Sequence, residues 1–237
     1  MNLIFGTWKL DPKYGKVSSL NDAEKIILYS INQGIKSFDT ANVYANGEIE
    51  NILGKYAAAS LDVITKIPAL HKLSFAEEGN AEQLYPNSWL EESVEKTTQR
   101  LKNENYTVIL HNYSDKWRNM DEVIEKLLLF KKSGYVKNIG ISIANSYEGE
   151  IKESILKKID VVEAPLNGES LWIKDNISKM MNKRVLLRSI LKGSKTFEKN
   201  EIKQKVYTAS ELSQNIILGM TKKEQVKNNI ELFRREK

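Results

Sequence analysis

Residues 107–142 read TVILHNYSDKWRNMDEVIEKLLLFKKSGYVKNIGIS. The stretch opens on a β-rich run, Thr107–His111. From Asp121 on, Val123, Ile124, Leu127 and Leu128 recur at the spacing of one helix face. Lys131 and Lys132 stand where the helix dipole is negative, and Gly134 suits the left-handed residue that ends a helix. A second β-rich run, Lys137–Ser142, follows at once. Strand, helix and strand in that order form the unit from which parallel sheets are built.

The alternation extends outward in both directions. Further β-rich runs lie at Leu3–Thr7, Lys36–Phe38, Val63–Lys66, Val161–Ala164, Val185–Ser189 and Ile216–Gly219. Taken together, the eight runs have a mean spacing of about 30 residues, the length of one strand–helix unit. Asn21 and Asp22 precede Ile26, Ile27 and Ile31, with Gly34 behind them as a helix stop. Ser88 with Glu91 reads as a capping box ahead of Leu90, Val94 and Leu101, and Thr221 with Glu224 as a second ahead of Val226, Ile230 and Phe233. Val/Ile/Leu-rich strands between such helices imply a parallel sheet covered on its outer face. Eight units in 237 residues predict an α/β fold, a compact (β/α)8 TIM barrel. Neither a Pro/Gly/Ser-rich linker nor a charge block divides the chain, so residues 1–237 read as a single domain. The alternative, an open doubly wound sheet, is weakened because no Gly-x-Gly-x-x-Gly follows any run.

Composition narrows the function. The chain has no Cys, which removes disulfides, thiolate metal sites and cysteine nucleophiles, and no metal site is expected. The net charge of +5 comes chiefly from Lys, without the Arg-rich, aromatic-interleaved stripe of a nucleic-acid surface. The longest apolar runs, such as Leu127–Phe130, fall far short of the roughly 18 residues of a membrane span. Met1–Gly6 lacks the basic and apolar regions of a signal peptide. These features lead us to expect a soluble, cytoplasmic protein.

In a (β/α)8 barrel the active site forms at the C-terminal ends of the strands. Asp39, Lys66 and His111 end three successive runs, and Tyr44 lies just beyond Asp39. Singly, Asp39 reads as a turn residue and His111 as a half-buried core histidine. Lys66 is odder, because an unpaired buried ammonium is costly. Together the four make a proton-delivery set: an ammonium lowers the pKa of a neighbouring phenol, a carboxylate holds the ammonium, and an imidazole orients a carbonyl oxygen.

Ser37-Phe38-Asp39-Thr40-Ala41-Asn42-Val43-Tyr44-Ala45-Asn46-Gly47-Glu48, continuing to Leu53-Gly54, resembles the signature of the aldo-keto reductase family. So do Gly6-Thr7-Trp8-Lys9, Ile64-Thr65-Lys66, Leu110-His111-Asn112 and Lys137–Ser142, and towards the end Ile217-Leu218-Gly219 with Glu224-Gln225-Val226 and Asn229. The resemblance implies NAD(P)H-dependent reduction of a small or sugar-like aldehyde or ketone, with Tyr44 as general acid, Lys66 and Asp39 tuning it, and His111 orienting the substrate. It assigns the cofactor to Gly6, Thr7, Trp8, Ser142, Glu163, Arg188, Leu191, Gly219, Met220, Thr221, Gln225 and Asn229, with Trp8 also lining the substrate pocket.

Departures from the family pattern cluster on the cofactor. Ile143 follows Ser142 where the family commonly has Asn, Glu163 stands where Gln is usual, and Arg188 lies where many members stack an aromatic residue on the nicotinamide. Gln225 occupies the place of an Arg for the 2′-phosphate, while Lys222 and Lys223 open the last helix. NADPH is the expected cofactor, with NADH as alternative. The chain shows neither the family's N-terminal hairpin nor its extended C-terminal loop, and the loop beyond Arg188 is short. The long segment Ile67–Asn87 is expected to wall the substrate pocket with His71, Phe75 and Tyr85. A non-redox binding or regulatory barrel that keeps the four residues, and a Schiff-base aldolase built on Lys66, are the competing readings.

Overall fold

The computed structural model describes residues 1–14, 17–194 and 198–234. In chain order its strands are β1 (Asn2–Gly6), β2 (Ser37–Asp39), β3 (Asp62–Pro68), β4 (Gly79–Asn80), β5 (Thr107–His111), β6 (Trp117–Arg118), β7 (Asn138–Ser142), β8 (Val161–Pro165), β9 (Arg184–Arg188) and β10 (Asn215–Gly219). All except β4 and β6 close into one parallel barrel, in which β10 pairs back onto β1. Closure settles the choice between barrel and open sheet in favour of the (β/α)8 fold. The outer layer holds α1 (Leu20–Asn32), α2 (Glu48–Lys55), α3 (Ala81–Leu84), α4 (Asn87–Leu101), α5 (Met120–Lys132), α6 (Glu153–Lys158), α7 (Trp172–Asn176), α8 (Lys199–Ser210) and α9 (Lys223–Arg234).

Helix ends follow local chemistry, with two corrections. Ser19 caps α1 by accepting from the Asp22 amide at 3.2 Å. Gly34 (φ +93°) and Gly134 (φ +80°) end α1 and α5 in the left-handed region expected of them. The Ser88–Glu91 box does not form, because α4 starts at Asn87, behind Pro86, which puts Ser88 inside the helix, and Asn87 takes Glu91 as its partner at 2.6 Å. At α9 the side chain that accepts from the Thr221 amide, at 2.8 Å, belongs to Gln225 and not to Glu224.

The barrel interior is layered by strand alternation. Ile4, Ile64, Ile109, Val161, Leu186 and Ile217 form a buried cluster of their own. Two residues earlier on these strands lie Asn2, Asp62, Thr107, Arg184 and Asn215, at the floor. Two residues later lie Gly6, Lys66, His111, Glu163, Arg188 and Gly219, at the mouth. Register adds Asp39 beside Gly6 and Ser142 beside His111 to the upper ring.

The floor is closed by side chains. Arg184 grips Asp62 through two bonds, at 3.2 and 2.6 Å, and Ser37 donates to the same carboxylate at 3.1 Å. Strands β3 and β9 are diametrically opposed in the barrel order, so this ion pair crosses the floor.

The long connection after β3 carries structure of its own: β4 pairs with β6, and α3 follows. His71 lies on its exposed surface, and Phe75 is half-buried against Tyr147. Tyr85 is fully buried and its hydroxyl donates to the Asn112 carbonyl at 2.9 Å, so it belongs to the core and not to a pocket wall.

Candidate active site

The upper ring gathers four ionisable side chains in a nearly dry environment. Lys66 extends from β3, which runs two residues beyond it, and its ammonium pairs with Asp39 at the end of β2. It also donates to the Thr40 carbonyl at 3.1 Å and lies 3.2 Å from Glu163 Oε2 on β8. Glu163 Oε1 in turn is 3.2 Å from Arg188 Nε on β9 and accepts from Ser142 Oγ at 3.3 Å. Arg188 is tethered further by the Ile143 carbonyl (2.8 Å), Asn145 (3.2 Å) and Ser189 (3.2 Å). Carboxyl and cationic groups therefore alternate: Asp39, Lys66, Glu163, Arg188. Yet Glu163 Oε2 and Arg188 Nε have ion-pair distances without hydrogen-bond alignment, and His111 Nδ1 is buried with no hydrogen-bond partner among the described residues. Unpaired buried polar atoms are costly, and they mark a place where a ligand would complete the bonding.

Burial and neighbouring charge set the protonation states. Burial, then the charge of Glu163, pushes Asp39 up to about 8 against the pull of Lys66. Burial alone would also raise Glu163, but the cations of Lys66 and Arg188 outweigh it and hold that carboxyl below its ordinary value. Burial would lower Lys66, yet Asp39 and Glu163 keep it above the usual range, fully charged. His111 falls to about 4, through burial and then the Lys66 charge, and is neutral at physiological pH.

Tyr44 opens a short turn beyond β2 and feels the charges of Lys66, Asp39, Glu163 and Arg188. The ammonium does lower its pKa, as the sequence suggests, but burial acts more strongly and the two carboxylates add to it. The phenol ends at about 12, above and not below its ordinary value. At neutral pH it holds its proton and is fitted to act as a proton donor.

Other sequence candidates lie at varying distance from this ring. Thr7 donates its amide and its hydroxyl to the Asp39 carbonyl, both at 2.9 Å, and so ties β1 to β2. Trp8 is 49% exposed and stacks on Tyr14, with ring centroids 6.2 Å apart. Gly6 and Gly219 adjoin in register and leave their arc of the ring without side chains. Met220 is fully buried, Leu191 is packed at the core edge, and Asn229 is on the buried face of α9. Thr221 and Gln225 bond each other at the start of α9.

Three ionisable residues beside Tyr44 escape the sequence pattern: Asp11, Glu50 and Arg100. Asp11 accepts from the Ala45 amide at 2.9 Å, and Arg100 donates to the Asn42 and Asn46 carbonyls. Glu50 carries the one available signal, an acidic residue among Ile49, Ile52 and Leu53 on a short helix. Among the described residues, no group of three or more acidic or His side chains is placed to hold a metal ion, and no helix is long and apolar enough to cross a membrane.

The family model for the aldo/keto reductase family matches residues 2–184. An uncharacterized oxidoreductase of Bacillus subtilis, YcsN, is 25% identical over 230 residues, spanning 91% of this chain and 75% of that protein. Among solved structures, the glycerol dehydrogenase of Gluconobacter oxydans superposes with a TM-score of 0.72 at 20% identity, over 98% of this chain and 86% of that one. An aldo/keto reductase of Klebsiella pneumoniae in complex with NADP and acetate gives 0.68 at 14%, over 98% and 85%. The two structural likenesses concern the barrel, whereas the family match covers the strands from β1 to the start of β9. The chain belongs to the aldo/keto reductase family and is an NAD(P)H-dependent oxidoreductase.

Proposed function

We propose that residues 1–237 act as one catalytic domain that reduces a small or sugar-like aldehyde or ketone, with NADPH as reductant and Tyr44 as general acid. The observation that carries this reading is the protonated Tyr44 beside a fully charged Lys66. A phenol that keeps its proton at neutral pH can give it to a carbonyl oxygen, and a nearby ammonium stabilises the phenolate left behind. His111, neutral and with an unpartnered buried nitrogen, would orient the carbonyl oxygen by a hydrogen bond.

The ring's chemistry suits the cofactor. Gly6 and Gly219 leave one arc free of side chains, and Glu163 Oε2 and Arg188 Nε offer an acceptor and a donor that lack an aligned hydrogen bond among the described residues. Bound there, the nicotinamide supplies the hydride. Ser142, Glu163 and Arg188 would hold its ring end, Gly219, Met220 and Thr221 the connection to its phosphates, and Gln225 and Asn229 the adenosine end. Lys222 and Lys223 beside the N-terminus of α9 favour the extra phosphate of NADPH over NADH.

One observation favours a second reading, a binding barrel without turnover: Arg188 and Glu163 already engage each other and their neighbours. Fluorescence titration with NADPH and NADH, followed by turnover with aldehydes and ketones of graded size, separates the two. Saturable quenching with carbonyl reduction supports the reductase, and quenching without turnover supports the binding barrel.

A further inference from the structure

Outside the ring, the most completely built polar cluster lies behind the turn that carries Tyr44. Glu50 is fully buried on α2. Its Oε1 accepts from Thr65 Oγ1 at 2.6 Å and from Thr97 Oγ1 at 3.1 Å, while Oε2 pairs with Arg100 Nη1 at 3.1 Å. The guanidinium continues into the turn, with Nη1 donating to the Asn42 carbonyl at 3.3 Å and Nη2 to the Asn46 carbonyl at 3.4 Å. These two carbonyls bracket Tyr44. From the opposite side the buried Asp11 carboxylate holds the Ala45 amide.

The turn needs such support. Ala45 and Asn46 sit at φ +48° and +56°, a left-handed region disfavoured for residues that carry a Cβ. Two glycines make room for Arg100, one for its backbone and one for its guanidinium. A Cβ on Gly54 would collide with the Arg100 carbonyl, so its absence lets α2 lie directly on the end of α4. Gly47, at φ +91°, lies against the guanidinium itself, and a Cβ there would collide with it. A buried ion pair is poor evidence for stability, since apolar packing often serves equally well. What apolar packing could not do is reach two backbone carbonyls at once.

We propose that Glu50 and Arg100 are positioning residues for Tyr44: the pair locks the Asn42–Gly47 turn and thereby holds the phenol within reach of the charged ring. This rests on Tyr44 as the acid. Lys at position 100 lacks the planar fork that serves one carboxylate and two carbonyls together.

The test uses the full chain with Arg100→Met, Arg100→Lys and Glu50→Gln, each alone and combined with Tyr44→Phe. Hydrogen exchange of residues 42–47, kcat, KM and nucleotide affinity are measured for each. Arg100→Met should speed exchange in the turn and not in the barrel strands, and lower kcat by about 10²-fold with KM and nucleotide affinity nearly unchanged. Arg100→Lys should fall between. In the Tyr44→Phe background the further loss should vanish, because the clamp acts only through that phenol. Unchanged exchange in the turn, or an equal loss of kcat without the phenol, would overturn the proposal. If Arg100→Met does not fold, Glu50→Gln carries the same comparison, since it keeps the side-chain size. Wild-type protein without carbonyl turnover would sink the reductase reading, and the exchange data would still decide whether the clamp holds the turn.

Discussion

Floor and mouth of the same barrel both carry ion pairs, partly exposed at the floor and buried at the mouth, separated by a single apolar layer, and they are built in opposite ways. At the floor Arg184 and Asp62 meet one to one, in a forked, aligned pair that crosses the barrel and is helped by Ser37. At the mouth Lys66 is divided between two carboxylates, and Glu163 between two cations. Its ion pairs are close but partly misaligned, and among the described residues His111 Nδ1, Glu163 Oε2 and Arg188 Nε lack an aligned hydrogen bond. Complete pairing belongs to a device for closure, whereas incomplete pairing leaves bonding capacity for something that arrives later. Perturbed protonation accordingly collects at the mouth.

The largest effect should come from removing the cation that the mouth shares. Lys66→Met leaves Asp39 and Glu163 buried without it, which should cost about 3–5 kcal/mol of stability. It also removes the charge that stabilises a Tyr44 phenolate, so carbonyl reduction should fall steeply in whatever protein folds. Denaturant melts and turnover together check this. A well-folded, active Lys66→Met protein would erase the contrast between the two ends.

Tyr44→Phe should act on rate alone. Loss of a general acid predicts a fall of about 10²–10⁴-fold in carbonyl reduction, with unchanged melting and nucleotide affinity. Near-normal reduction by folded Tyr44→Phe would place the acid elsewhere in the ring.

Strand alternation explains why so much of the mouth is legible in the sequence. Once Ile64, Ile109 and Leu186 are read as strand interiors, the residues two positions on must share their face, and Lys66, His111 and Arg188 fall into place. The floor obeys the same rule, but its meaning depends on which strands are opposed, and Asp62 and Arg184 lie 122 residues apart. Register closure alone brings them together. The Tyr44 pKa is hidden for a related reason. Sequence reveals the ammonium near the phenol, but not the burial and second carboxylate that outweigh it. Local rules also compete: Pro86 starts α4 before Ser88 can cap it.

Arg184→Ala measures the floor by itself. Both partners keep about a quarter to a third of their side-chain exposure, 26% and 33%, so solvent screens the pair. The loss should be about 1 kcal/mol, read in denaturant melts, with carbonyl reduction unaltered. A much larger loss would mean that the floor pair behaves as a dry ion pair like those of the mouth.

The smallest effect, and the one that separates the two ends most sharply, is in how stability depends on pH in Glu163→Gln. Asp39 titrates near 4 in an unfolded chain and at about 8 in the fold. Between those values the native state holds a proton that the unfolded state has released, so this group makes stability fall as pH rises. His111 works in the other direction, because its folded value near 4 lies below its ordinary value of 6.5. Its contribution is complete about one pH unit above that ordinary value, and Lys66 stays charged throughout. From about pH 7.5 upward Asp39 therefore sets the slope alone, and one proton limits the decline to about 1.4 kcal/mol per pH unit. Burial is the larger cause of the Asp39 shift and the Glu163 charge the second. Glu163→Gln should thus make the decline shallower without abolishing it, while Arg184→Ala keeps the wild-type slope. Denaturant melts at closely spaced pH read the slopes directly. Parallel curves for wild type and Glu163→Gln would mean that the two carboxylates at the mouth do not share Lys66 in the way their distances indicate.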